Sequence, residues 1–177
     1  MSTRLAAGIL LYRGAGERLE VLLAHMGGPL HATRDLGSWT IPKGEPEVGE
    51  VNAEEDLIAV ARREFAEETG HPLPNEAATP LGSVIQKGGK TVHAWAVAGD
   101  LDPAQAHSNT FRLAWPPPSG EEQEFPEIDR VAWFYLPEAR RRIKAAQEPF
   151  LDRLALAVGQ MATDSPPPPD ALPPADD

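Results

Sequence analysis

The run Arg63-Glu64-Phe65-Ala66-Glu67-Glu68-Thr69-Gly70 carries three carboxylates at i, i+3 and i+4. On a helix those offsets bring Glu64, Glu67 and Glu68 to one face, with Cβ atoms about 5–6 Å apart. Like charges that close repel, and each raises the proton affinity of the others. Such a face is either fully solvated or supplied with a cation. Oxygen-only ligands suit a hard divalent ion, Mg²⁺ or Mn²⁺, better than zinc. Upstream lies Trp39-Thr40-Ile41-Pro42-Lys43-Gly44-Glu45, a glycine-containing turn that can run up to the helix. The competing reading is a solvated acidic face held by Arg62 and Arg63. In it Arg63 and Glu67 form an i,i+4 pair worth roughly 0.2–0.5 kcal/mol.

These residues resemble the box of the Nudix hydrolases: Gly, five residues, Glu, seven residues, then Arg-Glu-apolar-x-Glu-Glu-x-Gly-apolar. Gly44 opens it here, and Arg63, Glu64, Phe65, Glu67, Glu68 and Gly70 match its second half position by position. The flanking elements extend the resemblance over roughly residues 4 to 158. Two departures stand out. Five extra residues separate Gly44 from Arg63, and the final apolar position is His71. Glu50 keeps the spacing after Gly44, whereas Glu55 keeps the spacing before Arg63. In the family this glutamate pairs with the box arginine and supports the metal site. The Glu45-to-Glu50 turn resembles the family loop as it stands, which favours Glu50. Asn52 with Glu55 three residues on then reads as a capping box, a role that competes with catalysis for Glu55.

The rest of the chain must hold that helix. With 177 residues, one domain is expected, over residues 1–160, followed by a disordered Pro- and Asp-rich tail over 161–177. Residues 5–12 read as a buried strand, and Leu19, Val21 and Leu23 alternate on a second. Leu57, Ala61 and Phe65 give the box helix, roughly 53–69, an apolar stripe on its other face. Gly70 closes it. Lys87-Gly88-Gly89-Lys90 joins two strands as a hairpin, residues 131–135 form a further strand, and Pro137 opens a helix carrying Arg140, Arg141 and Arg142. A last amphipathic helix carries Phe150, Leu151, Leu154 and Val158. Residues 26–38 and 99–128 read as loops. The fold class expected is α/β of the α+β type, a Nudix-like mixed β-sheet sandwiched between helices.

Composition excludes several chemistries. There is no cysteine, so disulfides, thiol catalysis and cysteine-based zinc sites are ruled out. A net charge of −11 argues against an electrostatic footprint for long nucleic acids. It leaves room for a small phosphorylated nucleotide bound through a divalent cation. No apolar run reaches about 18 residues, so no membrane partner is expected and a cytoplasmic location is the default. A homodimer stays open.

The resemblance implies metal-dependent hydrolysis of a pyrophosphate bond in a nucleoside diphosphate linked to a group X, best a dinucleoside polyphosphate or a nucleoside triphosphate. Gly44, Glu64, Glu67 and Glu68 would hold Mg²⁺, with Mn²⁺ as substitute. Arg63 and Glu50 (or Glu55) would support them. The base is Glu67, Glu68 or one of the later glutamates Glu121, Glu122, Glu124 and Glu127. Lys43 could meet a phosphate, and Trp39, Trp95 or Trp115 could stack on a base, although strand aromatics are more often core. The five histidines read as structural. The alternatives are a non-catalytic nucleotide-binding sensor on the same fold, and an isoprenyl diphosphate isomerase, which the lack of cysteine disfavours.

Overall fold

The computed structural model describes residues 4–51, 53–73, 77–118 and 120–164. Nine strands and three α-helices lie among them: β1 (Leu5–Arg13), β2 (Glu20–Met26), β3 (Trp39–Thr40), β4 (Lys43–Gly44), α1 (Leu57–Thr69), β5 (Ala78–Ile85), β6 (Thr91–Ala98), β7 (Thr110–Trp115), β8 (Glu121–Pro126), β9 (Ile128–Tyr135), α2 (Leu136–Arg142) and α3 (Glu148–Asp164). The main sheet runs β3-β2-β1-β6-β5, with β4 paired to β1 and β9 to β2. Only β1 and β6 are parallel, so the sheet is mixed as expected.

Alternation along β1 and β2 explains the layers, because successive side chains of a strand point to opposite faces. Leu10, Leu19, Val21 and Leu23 pack with Phe150, Leu151 and Leu154 of α3. Ile9, Leu11 and Leu22 pack with Leu57, Val60, Ala61 and Phe65 of α1. The apolar stripe expected on the box helix is therefore the one that is buried. Gly70 ends α1 at φ 72°, and its amide donates to the Ala66 carbonyl at 2.8 Å.

One glycine inside β1 decides where the turn before the box can sit. A Cβ at Gly8 would lie 2.6 Å from the Pro42 carbonyl oxygen and 2.7 Å from Lys43 Cβ. Bare backbone there lets β4 lie across β1, with Gly8 opposite Lys43 and Ala7 opposite Gly44.

Three expectations need correction. Residues 99–128 are not one loop, since they contain the β7–β8 hairpin. β7 alternates, with Phe111, Leu113 and Trp115 half-buried on one side, but β8 is almost wholly polar or charged and carries no such pattern. The box helix begins as a short 3₁₀ turn, Glu54–Asp56, and becomes α-helical only at Leu57. Asn52, expected as its cap, lies outside the described residues. The last helix continues to Asp164, past residue 160, while residues 165–177 of the expected tail lie outside the described ones. Among the described residues no helix is long and apolar enough to cross a membrane.

Candidate active site

Glu50 and Arg63 meet across the stretch that holds the five extra residues. Arg63 Nε donates to Glu50 Oε1 at 2.7 Å and Nη2 to Glu50 Oε2 at 2.9 Å. Its Nη1 reaches Glu64 Oε1 at 2.9 Å and Glu67 Oε1 at 3.0 Å. Glu50 in turn accepts from the Glu47 amide, and Arg63 pushes its carboxyl below the usual range. The Glu55 side chain is exposed and has no part in this cluster. Geometry therefore places Glu50, not Glu55, against the arginine.

Two of the three box carboxylates are buried. Glu64 and Glu68 are each 7% exposed, and Glu67 is more open. Glu68 accepts the Lys43 amide at 3.0 Å, which ties α1 to β4. A Cβ on Gly44 would run into the Glu64 carboxylate, so the glycine is required for this close approach. Burial raises the proton affinity of both carboxyls. Arg63 works against this at Glu64, and the Lys43 amide and ammonium work against it at Glu68, whose pKa still reaches about 8. Burial also pulls the Lys43 ammonium down to about 8, helped by the charges of Lys144 and Lys90.

Among the described residues no three His, Asp or Glu side chains converge on one point as they stand. Glu64 and Glu67 lean on Arg63, and Glu68 on the Lys43 amide. The donor chemistry still fits a hard divalent cation: oxygen only, partly desolvated, and crowded enough that protons are drawn in.

A cavity of about 360 Å³ opens beside this cluster. Lys43, Glu68 and Glu127 supply charged groups to its lining, and Met26, Pro29, Leu30, Phe111, Leu113 and Ile128 make most of the rest apolar. Both segments read from the sequence as loops, 26–38 and 99–128, thus contribute. Residues 27–31 form one wall. That segment is fastened at several points: the Gly27 amide donates to the Glu127 carbonyl at 2.8 Å, and the buried His25 places Nε2 2.6 Å from the Arg34 carbonyl. Arg142 Nη1 and Trp39 Nε1 both donate to Asp35 Oδ1 at 2.7 and 2.8 Å.

Of the four later glutamates, the structure brings one to the site. Glu127 lines the cavity, feels the charges of Glu67 and Lys43, and is shifted up chiefly by burial. Glu122 and Glu124 are engaged by Arg112 and Thr110 across the hairpin, and Glu121 is exposed. Trp39 is not available to a base. It is 2% exposed, packed edge-on against His25 and Phe134, with Arg130 over its ring. Trp95 and Trp115 are partly buried, and neither lines the cavity. The aromatic ring that does is Phe111, which the sequence reading passed over because its strand was read as loop. The residue 26–31 wall was legible only as a Gly- and Pro-rich loop.

The sequence model of the NUDIX domain matches residues 2–154. No curated protein matches the chain. Among solved structures, a Caenorhabditis elegans Ap4A hydrolase in a binary complex is 21% identical with a TM-score of 0.60, over 89% of this chain and 98% of that one. A mutT/nudix family protein from Listeria innocua is 14% identical with a TM-score of 0.61, over 93% and 99%. The NUDIX domain of Shewanella oneidensis NrtR complexed with ADP ribose is 15% identical with a TM-score of 0.56, over 92% and 90%. At these identities the likeness is one of fold.

Proposed function

The chain belongs to the Nudix family and is a pyrophosphohydrolase, and on that premise we propose that it cleaves a nucleoside diphosphate linked to a group X in a Mg²⁺-dependent reaction. The best candidates are dinucleoside polyphosphates and nucleoside triphosphates. The observation that supports this most is the meeting of three features at one place: the Arg63–Glu50 fork, the buried Glu64 and Glu68 against β4, and a largely apolar cavity whose lining includes Lys43, Glu68 and Glu127.

Glu64, Glu67 and Glu68, with the Gly44 carbonyl, would hold the cation. When bound, it supplies charge neutralisation for the phosphates and a more acidic water. The chain's own groups do the rest. Arg63 fixes the carboxylates by holding Glu50, Glu64 and Glu67 together. Lys43, in the cavity lining, offers a positive charge to a phosphate oxygen. Glu127, or one of the box glutamates Glu67 and Glu68, takes the proton of the attacking water. The apolar walls hold the nucleoside or X and keep bulk water away.

A panel of nucleotides incubated with Mg²⁺ and Mn²⁺, with products identified, tests the reading. Diphosphate cleavage that stops on chelation is expected. Nucleotide binding in EDTA with no hydrolysis of any diphosphate in the panel would replace it with the sensor alternative.

A further inference from the structure

The last turn of an α-helix leaves carbonyls without partners inside the helix. At the end of α1 two of them are taken by one passing segment: the His107 amide donates to the Thr69 carbonyl at 3.0 Å and the Asn109 amide to the Glu67 carbonyl at 2.9 Å. The same segment then offers an acceptor to the next strand. The Asn109 carbonyl accepts the Glu127 amide at 2.9 Å, and the Glu127 carbonyl accepts the Gly27 amide at 2.8 Å. A single file of peptide groups thus runs from the box residue Glu67 through Asn109 and Glu127 to the cavity wall.

These bonds fix where the Glu127 backbone lies, and the register of β9 governs how its side chain is aimed. His25 faces Arg130 but Met26 faces Ile128, which makes Asp129 an extra residue on β9. A bulge of this kind bends its strand and re-aims the side chains beside it. Here the bulge is tied on both sides. Asp129 Oδ1 lies 2.8 Å from Nδ1 of the buried His25. The Ile128 amide donates to Ser108 Oγ at 3.1 Å, and that hydroxyl donates to the Asn109 carbonyl at 2.8 Å. This is the carbonyl that also holds the Glu127 amide. Ser108, Asn109, Glu127 and Ile128 therefore close one ring of hydrogen bonds, and Ser108 closes it with its side chain.

Glu127 lines the cavity together with Lys43 and Glu68, whereas Ser108 does not line it. A general base must be held within hydrogen-bond reach of the proton it takes, and a small misplacement costs rate more than binding. We propose that Ser108 is a positioning residue for the reaction: by bridging the Ile128 amide and the Asn109 carbonyl, its hydroxyl sets the turn that aims the Glu127 carboxylate at the attacking water. The inference rests on the reading that Glu127 takes the proton.

Steady-state kinetics on the full chain, with Mg²⁺ and the compound of the nucleotide panel that the wild type cleaves fastest, test it. Ser108→Ala should lower kcat about tenfold with KM within about twofold of wild type. Ser108→Thr keeps the hydroxyl, and a cavity of about 100 Å³ beside residue 108 has room for the added methyl, so most of the rate should return. In a Glu127→Gln background Ser108→Ala should cost less than about twofold, because residues that act as one unit are not additive. A purely structural loss would persist in that background. Melting curves accompany each variant, and if Ser108→Ala does not fold, Ser108→Cys repeats the comparison with a group of similar size that bonds more weakly. The same factor lost in both backgrounds, or no loss at all, overturns the proposal and leaves Glu127 in its role. Full activity in Glu127→Gln, or no hydrolysis of any compound in the panel, removes the reading beneath it and the proposal with it.

Discussion

Arg63 grips Glu50 with two guanidinium nitrogens on two carboxylate oxygens, at 2.7 and 2.9 Å, across the stretch in which this chain exceeds the family spacing. Bidentate pairs of this kind are geometrically demanding and are among the stronger charge-assisted contacts. Glu50→Gln is therefore expected to lower turnover about 10–100-fold, as loss of a group that orients metal ligands does. Glu55→Gln, on an exposed side chain, should stay within about 0.5 kcal/mol in stability and leave turnover near wild type. Steady-state rates on the two variants, with melting curves, separate them. The reverse pattern would move the supporting role to Glu55.

The metal-free protein should show opposite pH slopes on either side of about pH 8. Glu68 has a folded pKa near 8 against 4.5 for the free side chain. A raised carboxyl contributes stability that is present at low pH and lost as pH rises through the folded value, so stability falls from about pH 4.5 to 8. Lys43 is shifted from 10.5 down to about 8. A lowered amine contributes stability that is present above 10.5 and lost as pH falls through 8. Its slope is therefore upward between 8 and 10.5. Melting temperatures in EDTA should pass through a minimum near pH 8. Glu68→Gln should flatten the acid side of that minimum, and Mg²⁺ should do the same. A flat profile in EDTA would refute the paired shifts.

Glu127 is the later glutamate that shares the cavity with Lys43 and Glu68. If it takes the proton, Glu127→Gln should cut kcat about 100-fold with little change in KM, a general-base-sized loss. Glu122→Gln and Glu124→Gln, whose partners lie on β7, should cost less than about threefold. Full activity in Glu127→Gln would return the base to Glu67 or Glu68, for which kcat should then fall at least about 100-fold on substitution by Gln.

Gly28 sits at φ 87°, and a Cβ there would lie 2.8 Å from Phe111 Cζ. Gly28→Ala should both strain the backbone, by about 1 kcal/mol, and narrow the cavity. KM for a bulky X should rise several-fold while kcat changes less. Phe111→Leu added to Gly28→Ala should recover part of the KM, because it gives back the space. No recovery would mean that the strain alone acts.

Much of this architecture was legible from residue order, and particular residues show where legibility stopped. Glu64, Glu67 and Glu68 with Leu57, Ala61 and Phe65 define one helix with an acidic and an apolar face, because both patterns follow the same period. Gly70 marks its end because few other residues tolerate that backbone. The β7–β8 hairpin escaped because Glu121, Glu122 and Glu124 make β8 almost wholly polar, although β7 alternates Phe111, Leu113 and Trp115 on one side. Trp39 was open as a stacking residue because a strand aromatic reads alike whichever layer receives it. Glu127 could not be told from Glu121, Glu122 and Glu124, since four acids in seven residues look alike until the β8–β9 turn is placed. Ser108 gave no signal. Its hydroxyl acts through an amide that lies far along the chain.

The wall formed by residues 27–31 has a consequence for the timing of recognition. It continues into a segment pinned by His25 at Arg34 and by Arg142 and Trp39 at Asp35, and Gly27 is tied to Glu127 at its start. Swinging it aside as a lid would break several of these bonds together. Such a wall favours a fixed mould over a moving lid, and on the proposed function a group X would be selected by its shape on arrival rather than by closure around it.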